Sequence, residues 1–189
     1  MNPCKNNCSC ERCKKCGIPS RVIKAIEACE IPPPQETPPP PPPPLPSYGN
    51  FFQTISLQLS NNQPISWNGM GETAGITLDP DTVTIRVTQA GVYYIDYLVN
   101  VQFTINVGIT AQTAIFVNEV QVNPIQTRYG STNATPDRNE CSPYSGGTIV
   151  SIPAGGTVQL RNVGPAFETC GGGETGVFLA ASINLFKIN

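Results

Sequence analysis

Eight cysteines are the residues of this 189-residue chain whose type and spacing could do chemistry. Thiolates bind iron or zinc, and thiols also pair as disulfides. The run C-x-x-C-x-x-C resembles part of a metal site, but the sequence contains no histidine and the next cysteine follows thirteen residues later. Disulfides, many of them between chains, are therefore the favoured interpretation and no cofactor is expected; a metal cluster and a tail of reduced thiols are the alternatives. These N-terminal cysteines are Cys4, Cys8, Cys10, Cys13, Cys16 and Cys29.

Two further cysteines, Cys141 and Cys170, lie apart from the others in two long segments rich in glycine. If those segments lie at the same end of the fold, a bridge would close 28 intervening residues and stabilise the fold by ~3 kcal/mol. An intrachain disulfide is the favoured interpretation. The alternative is a pair of thiols that receives the tail cysteines of the next subunit, which would turn a capped head into a repeating fibre.

Little else in the sequence indicates catalysis or ion binding. Without histidine, a Ser or Cys triad lacks its usual base, so no enzymatic activity is expected. Asp79 and Asp81 could bind calcium, but two carboxylates are too few and a solvated turn is the better interpretation. The same holds for Asp137 and Glu140. A net charge of −2 with 13% charged residues argues against nucleic acid or anionic lipid as a partner, and no apolar run is long enough for a membrane helix.

The composition of the chain changes at Tyr48, because thirteen of the 20 prolines precede it. Residues 1–30 are interpreted as a cross-linking tail with six basic and three acidic side chains, and a short helix is predicted over 20–30, either as a loose turn or as part of a bundle of several copies. Residues 31–47 form a neck in which polyproline II is expected. A stiff spacer is the favoured interpretation of the neck; a docking site for a proline-binding groove and insertion into a neighbouring subunit are the alternatives.

Residues 48–189 are predicted to form an all-β head around one long strand, Gly91–Val107. Apolar residues occupy every second position of this strand, and Tyr94 and Leu98 interrupt its polar side. A loop is predicted from Tyr129 to Gly147. About ten short strands without helices indicate a β-sandwich of jelly-roll type. The other predicted strands are Phe51–Ser60, Ile65–Trp67, Gly75–Leu78, Thr82–Thr88, Gln112–Val117, Val120–Thr127, Thr148–Ile152, Thr157–Val163 and Val177–Ile188.

The closing strand, Val177–Ile188, has apolar residues on both faces. Alternation assigns Val177, Leu179, Ala181, Ile183 and Leu185 to one face. A sheet whose other face met water would not carry phenylalanines there. The far side therefore predicts an apolar patch covered by another copy of the protein, although a loop of the same chain could also cover it. The residues assigned to this patch are Tyr94, Leu98, Phe178, Phe186 and Ile188.

Three segments in this order, AGVYYIDYLVNV, IPAGGTVQLRN and FLAASINLFKI, resemble the trimeric jelly roll of the complement-q-head and tumour-necrosis-factor superfamily. Together with ISLQLSNNQPISWNG and GITLDPDTVTIRVTQAG, they are most similar to the C-terminal domain of the collagen-like glycoproteins on the exosporium of bacilli. The resemblance covers roughly residues 51 to 188. It implies a homotrimer in which Tyr94, Leu98, Phe178 and Phe186 meet near a threefold axis.

The stalk departs from that family, since this chain has polyproline where the exosporium proteins have collagen repeats. Its cysteine-rich tail is similar to cross-linked spore appendage proteins. The resulting interpretation is a structural subunit of a spore-surface filament, a trimeric head stacked into a fibre and joined by tail disulfides to neighbouring subunits or other spore-surface proteins. Because the N-terminus lacks the apolar core of a secretory signal, synthesis in the cytoplasm without a signal peptide is expected. The alternative function is a soluble recognition trimer that binds a sugar or receptor through its loops.

Overall fold

The structure, a computed structural model, describes residues 46–104, 106–172 and 179–189. The predicted tail, with its six cysteines, and residues 31–45 of the predicted neck lie outside these residues. Thirteen strands are present in the described part of the chain, and ten of them have three residues or more. They are β1 (Tyr48–Gln53), β2 (Gln58–Leu59), β3 (Gly69–Ala74), β4 (Ile76–Leu78), β5 (Ile85–Val87), β6 (Gly91–Phe103), β7 (Ile109–Val117), β8 (Val120–Gln121), β9 (Tyr129–Asn133), β10 (Glu140–Ile152), β11 (Thr157–Asn162), β12 (Phe167–Glu168) and β13 (Ala181–Lys187).

Two main sheets enclose the core. The first contains five strands in the order β10-β6-β13-β1-β3, and the second has the order β4-β5-β11-β7-β8 with β9 also paired to β7. All of these pairs are antiparallel, and a two-stranded ladder of β12 and β2 completes the fold. The described part of the chain holds no helix with the length and apolarity that a bilayer crossing requires.

Strand β6 supplies much of the core, as its alternation predicts. Tyr93, Ile95 and Tyr97 are at most 2% exposed, because successive side chains of a strand point to opposite faces. The strand is shorter than predicted and ends at Phe103. A turn follows, in which the Val107 N–H donates to the Thr104 carbonyl over 3.0 Å and Asn106 has a left-handed φ of 59°. Val107 is consequently half-exposed.

The loop predicted from Tyr129 to Gly147 is wrong. The structure places β9 and the first half of β10 there, and β10 pairs with β6 along all 13 of its residues. Cys141 is therefore the second residue of a strand. Since β10 is an edge strand of the five-stranded sheet, Pro143 can lie within it at a place where a missing amide hydrogen is tolerated.

Several other strand boundaries also differ from the prediction. Ile65–Trp67 is not a regular strand, although the Ile65 and Trp67 amides donate to the carbonyls of Leu160 and Thr82 over 2.8 and 2.7 Å. The structure divides Phe51–Ser60 between β1 and β2 and reduces Val120–Thr127 to β8. Strand β3, with the sequence GMGETA, has no apolar alternation and was not predicted.

Two buried tyrosines meet at Thr113 between the sheets. The Tyr97 hydroxyl donates to the Thr113 carbonyl over 3.3 Å, and the Tyr144 hydroxyl lies 3.2 Å from the Thr113 hydroxyl. Burial raises the pKa of Tyr97 to about 12 and raises the pKa of Tyr144 further. Neither phenol is therefore expected to ionise at the pH where exposed tyrosines do.

Alkaline titration should show two tyrosines whose ionisation is delayed while the head is folded. We expect Tyr97 and Tyr144 not to absorb at 295 nm as tyrosinate while far-UV circular dichroism is native. The pKa values of both phenols lie above the unfolded value of 10.0 in the folded protein. Their contribution to the free energy of unfolding is therefore complete below pH 10, and it falls as the pH rises towards 12. Tyr144→Phe should remove one delayed tyrosine. Ionisation of Tyr97 and Tyr144 near pH 10 in the folded protein would contradict the assignment.

Candidate self-association face and head disulfide

One apolar row crosses the outer face of the five-stranded sheet. Tyr94 of β6 is the register partner of Ile149 on one side and of Phe186 on the other, and Phe186 is in turn paired with Tyr48. Ile149 is 61% exposed, Tyr94 42% and Phe186 47%, whereas Tyr48 is partly buried. We call these four residues the apolar row. Large side chains in register on four neighbouring strands form a continuous surface of the kind that other protein copies cover.

A chain of polar side chains, the amide ladder, runs beside the apolar row on the same face. Asn50 donates through Nδ2 to the side-chain oxygen of Asn184 over 2.6 Å, and Asn184 donates through Nδ2 to the Asp96 carboxylate over 3.1 Å. These residues are also register partners. Because each side chain already has a partner within the chain, covering this face would leave fewer unpaired donors and acceptors.

The structure brings most of the predicted interface residues to one face. Tyr94 and Phe186 are direct neighbours, Leu98 lies four residues from Tyr94 on the same face, and Ile188 is 55% exposed where its N–H donates to the Val92 carbonyl over 2.8 Å. Phe178 lies outside the described residues. Leu179, predicted to face inward, is 42% exposed.

Sequence reasoning missed Tyr48 and Ile149, which complete the apolar row. Ile149 is followed directly by the apolar Val150, so the residues up to Ile152 do not alternate clearly enough to indicate a face. Tyr48 was identified only as the start of the head. Their place follows from strand register, because the residues opposite Tyr94 and Phe186 are known only once the strand order is known. The pairings of β1 with β13 and of β10 with β6 are thus the missing information.

Cys141 and Cys170 are joined by a disulfide, with their Cα atoms 5.8 Å apart. They reach each other at the end of β6, where Cys141 is the register partner of Gln102 and the Cys170 N–H donates to the Asn100 carbonyl over 2.8 Å. Cys141 is exposed and Cys170 is partly buried. The bridge therefore ties the start of β10 to the segment that follows β12.

Replacing both Cys141 and Cys170 by serine should lower the free energy of unfolding by about 3 kcal/mol. The bridge spans 29 positions, and closing a loop of that size restricts the unfolded chain. Urea unfolding of the protein with and without reductant measures the effect. The serine variant is its own control, since reductant should leave its midpoint unchanged, and an equal midpoint for bridged and unbridged head would contradict the prediction.

Three of the four carboxylates considered for calcium are paired with protein donors. Arg86 forms an ion pair with Asp79, with Nε 3.1 Å from Oδ1 and Nη2 2.5 Å from Oδ2. The Thr84 hydroxyl lies 2.6 Å from Asp81 Oδ2, and this bond, followed by the amides of Thr84 and Val83, holds the pKa of Asp81 below its usual value. Within the described ranges, no three potential ligands gather into a metal site. Glu140 is paired with Arg138 over 3.2 Å.

Two shallow cavities lie near the end of β6 that carries the disulfide. One, of about 440 Å³, is lined by both bridged cysteines together with Ser56, Gln102 and Glu140. The other, of about 390 Å³, lies between Gln102, Ile109 and Phe167. Both are open to solvent and combine polar and apolar walls. Both cavities therefore offer surface for contact with another molecule.

No family model matches the sequence, and no curated protein is similar to it. Among solved structures, the Eiger tumour necrosis factor from S. frugiperda is similar with a TM-score of 0.57 and 14% identity, over 76% of this chain and 93% of that one. The globular domain of the zebrafish complement 1qA protein is similar with a TM-score of 0.52 and 15% identity, over 76% of this chain and 98% of that one. The head is therefore an all-β jelly roll of the tumour-necrosis-factor and complement-q type, which confirms the predicted fold class.

Proposed function

We propose that this protein is a structural subunit of a bacterial spore-surface filament or appendage. Its heads associate as homotrimers through the apolar row, and its N-terminal tail is linked by disulfides to neighbouring subunits or to the outer layer of the spore. In this proposal the chain is made in the cytoplasm, is oxidised later at the spore surface (exosporium or appendage) and has no catalytic activity.

The observation that carries the proposal is the apolar row. Its three exposed members lie in register across β10, β6 and β13, so they form one patch instead of scattered side chains. A second copy of the chain is the occupant that fits this patch. The fold resembles that of a superfamily whose members form homotrimers, and symmetric association uses the same face on each copy. The amide ladder supports a covered face, since its donors are satisfied within one chain.

The filament part of the proposal depends on the sequence outside the described residues. Six tail cysteines per chain supply eighteen thiols per trimer, enough for links to more than one neighbour. A surface that must outlast drying and proteases gains from covalent links, because kinetic persistence then matters more than equilibrium stability. The resemblance of several sequence segments to the exosporium glycoproteins is the reason for proposing the spore surface as the location.

Sedimentation equilibrium of the full chain in reductant tests the trimer. We expect a single species of three chains, since reductant removes tail links but leaves the apolar row. Without reductant, we expect ladders on non-reducing gels and fibres in negative-stain micrographs, which reductant reverses. A well-folded single chain in reductant would refute the trimer. Discrete trimers without ladders before reduction would favour the alternative, a recognition protein. The two cavities near the disulfide would then be its binding surface.

A further inference from the structure

The start of the head and its disulfide lie at opposite ends of β6. Tyr48 is in register with Phe186 and through it with Tyr94, whereas Cys141 is in register with Gln102. Eight residues separate Tyr94 from Gln102 along the strand, which corresponds to ~27 Å at ~3.4 Å per residue. We call the end that carries Tyr48 the base and the end that carries the disulfide the tip. The neck therefore joins the head at the base, and the disulfide lies at the tip.

The tip disulfide is accessible to an incoming thiol. Cys141 is exposed, whereas Cys170 is partly buried and held by the bond from its N–H to the Asn100 carbonyl. The cavity of about 440 Å³ beside the bridge gives room for a peptide segment. Attack on a disulfide occurs along the sulfur–sulfur axis at the more accessible sulfur, so Cys141 is the electrophile and Cys170 is the leaving group.

The N-terminal tail has the composition of a thiol donor. Lys14 and Lys15 lie between Cys13 and Cys16, and positive charge beside a thiol favours the reactive thiolate. Because the chain enters the head at the base, a link to the tip of a second copy can repeat from one copy to the next.

We propose that the Cys141–Cys170 disulfide is the acceptor of a tail cysteine from a second copy, by thiol–disulfide exchange. This proposal extends the proposed function, because it names the group to which the tail is joined. The tail thiolate sulfur forms a bond with Cys141 Sγ, the bond between Cys141 and Cys170 breaks, and Cys170 leaves as a thiolate that takes up a proton. One disulfide is lost and one is formed, so the step needs no oxidant. Repetition from tip to tail gives a covalent fibre.

Isotope labelling separates donor and acceptor in full-length chains. The acceptor is a ¹⁵N-labelled chain whose six tail cysteines are serine and whose head disulfide is intact. The donor is an unlabelled chain with a reduced tail and the substitutions Cys141→Ser and Cys170→Ser. After mixing without oxygen at pH 8, quenching by alkylation and mass spectrometry, we expect unlabelled tail peptides linked to the labelled Cys141 peptide, with one new Cys170 thiol per link. An acceptor that also carries Cys141→Ser and Cys170→Ser is the matched control and should form none.

The proposal would be overturned if the labelled head disulfide stayed intact while donor tails linked to one another on admission of air. Links to Cys170 alone would also overturn it. A second measurement needs no substitution: labelled and unlabelled wild-type chains are mixed after brief reduction of the tails, and links within one isotope only would also overturn it. Sedimentation of the tail-serine acceptor reports separately on the trimer. A trimeric acceptor without exchange would refute only the exchange, and a monomeric acceptor would refute the trimer.

Discussion

Replacing Tyr94 and Phe186 together by serine is expected to convert the assembled head into folded single chains at micromolar concentration. The two side chains are 42% and 47% exposed in one chain, so each contributes about 1 kcal/mol when a second copy covers the remaining surface. Six such side chains in a trimer change the free energy of assembly by about 6 kcal/mol, or about 10⁴-fold in the association constant. Sedimentation equilibrium in reductant, over a range of protein concentrations, measures the shift.

The control for this experiment is Ile125→Ser. Ile125 is 91% exposed and lies after β8, away from the five-stranded sheet, so its loss removes apolar surface without touching the apolar row. We expect the control to sediment as the unmodified protein does. If the double serine variant remained associated while its far-UV circular dichroism was native, the copies would have to associate through a face other than the apolar row.

A second large effect is expected in the core, where Trp67→Ala should lower the free energy of unfolding by about 3–5 kcal/mol. Trp67 is 2% exposed and belongs to the central apolar cluster. Its alanine variant would leave a large cavity between the sheets, and surrounding side chains fill such a space only in part. Urea unfolding at a single protein concentration measures the change, since association also stabilises the folded chain.

Trp67→Phe is the matched variant, because it removes the indole N–H but less side-chain volume than alanine does. The buried indole N–H has no acceptor among the described residues, so phenylalanine gives up packing but no hydrogen bond, and we expect a cost of about 1–2 kcal/mol. A phenylalanine variant as unstable as the alanine variant would show that the indole nitrogen has a role that packing does not explain.

The predictable parts of the fold were those with a strict period. Tyr93, Ile95 and Tyr97 alternate with more polar neighbours, and the structure buries all three. The same reasoning identified Tyr94 and Phe186 as apolar side chains on the wrong side of their strands, and both lie on one outer face. A period of two is a property of the local sequence, so it can be recognised without knowing the order of the strands in the sheet.

The segment around Gly146 shows why other parts could not be predicted. Composition favours a loop there, yet the residue lies within β10 opposite Tyr97. A β-carbon on Gly146 would come within 2.3 Å of the Tyr129 ring, which packs edge-on against Tyr97 with centroids 6.3 Å apart. Glycine is therefore present to admit an aromatic ring, not to end a strand. That requirement comes from a residue 17 positions away and has no local pattern.

The position of β13 has a consequence for how the head is made. Residues 181–187 are translated after every other described strand, yet they lie between β6 and β1 in the middle of the five-stranded sheet. Until they leave the ribosome, β6 lacks its neighbour on one side and the apolar side chains beneath it lack a cover. Pairing across such a long stretch of sequence is slow. The partly synthesised head therefore exposes apolar surface of the kind that promotes aggregation, and its sheet can close only as a late event.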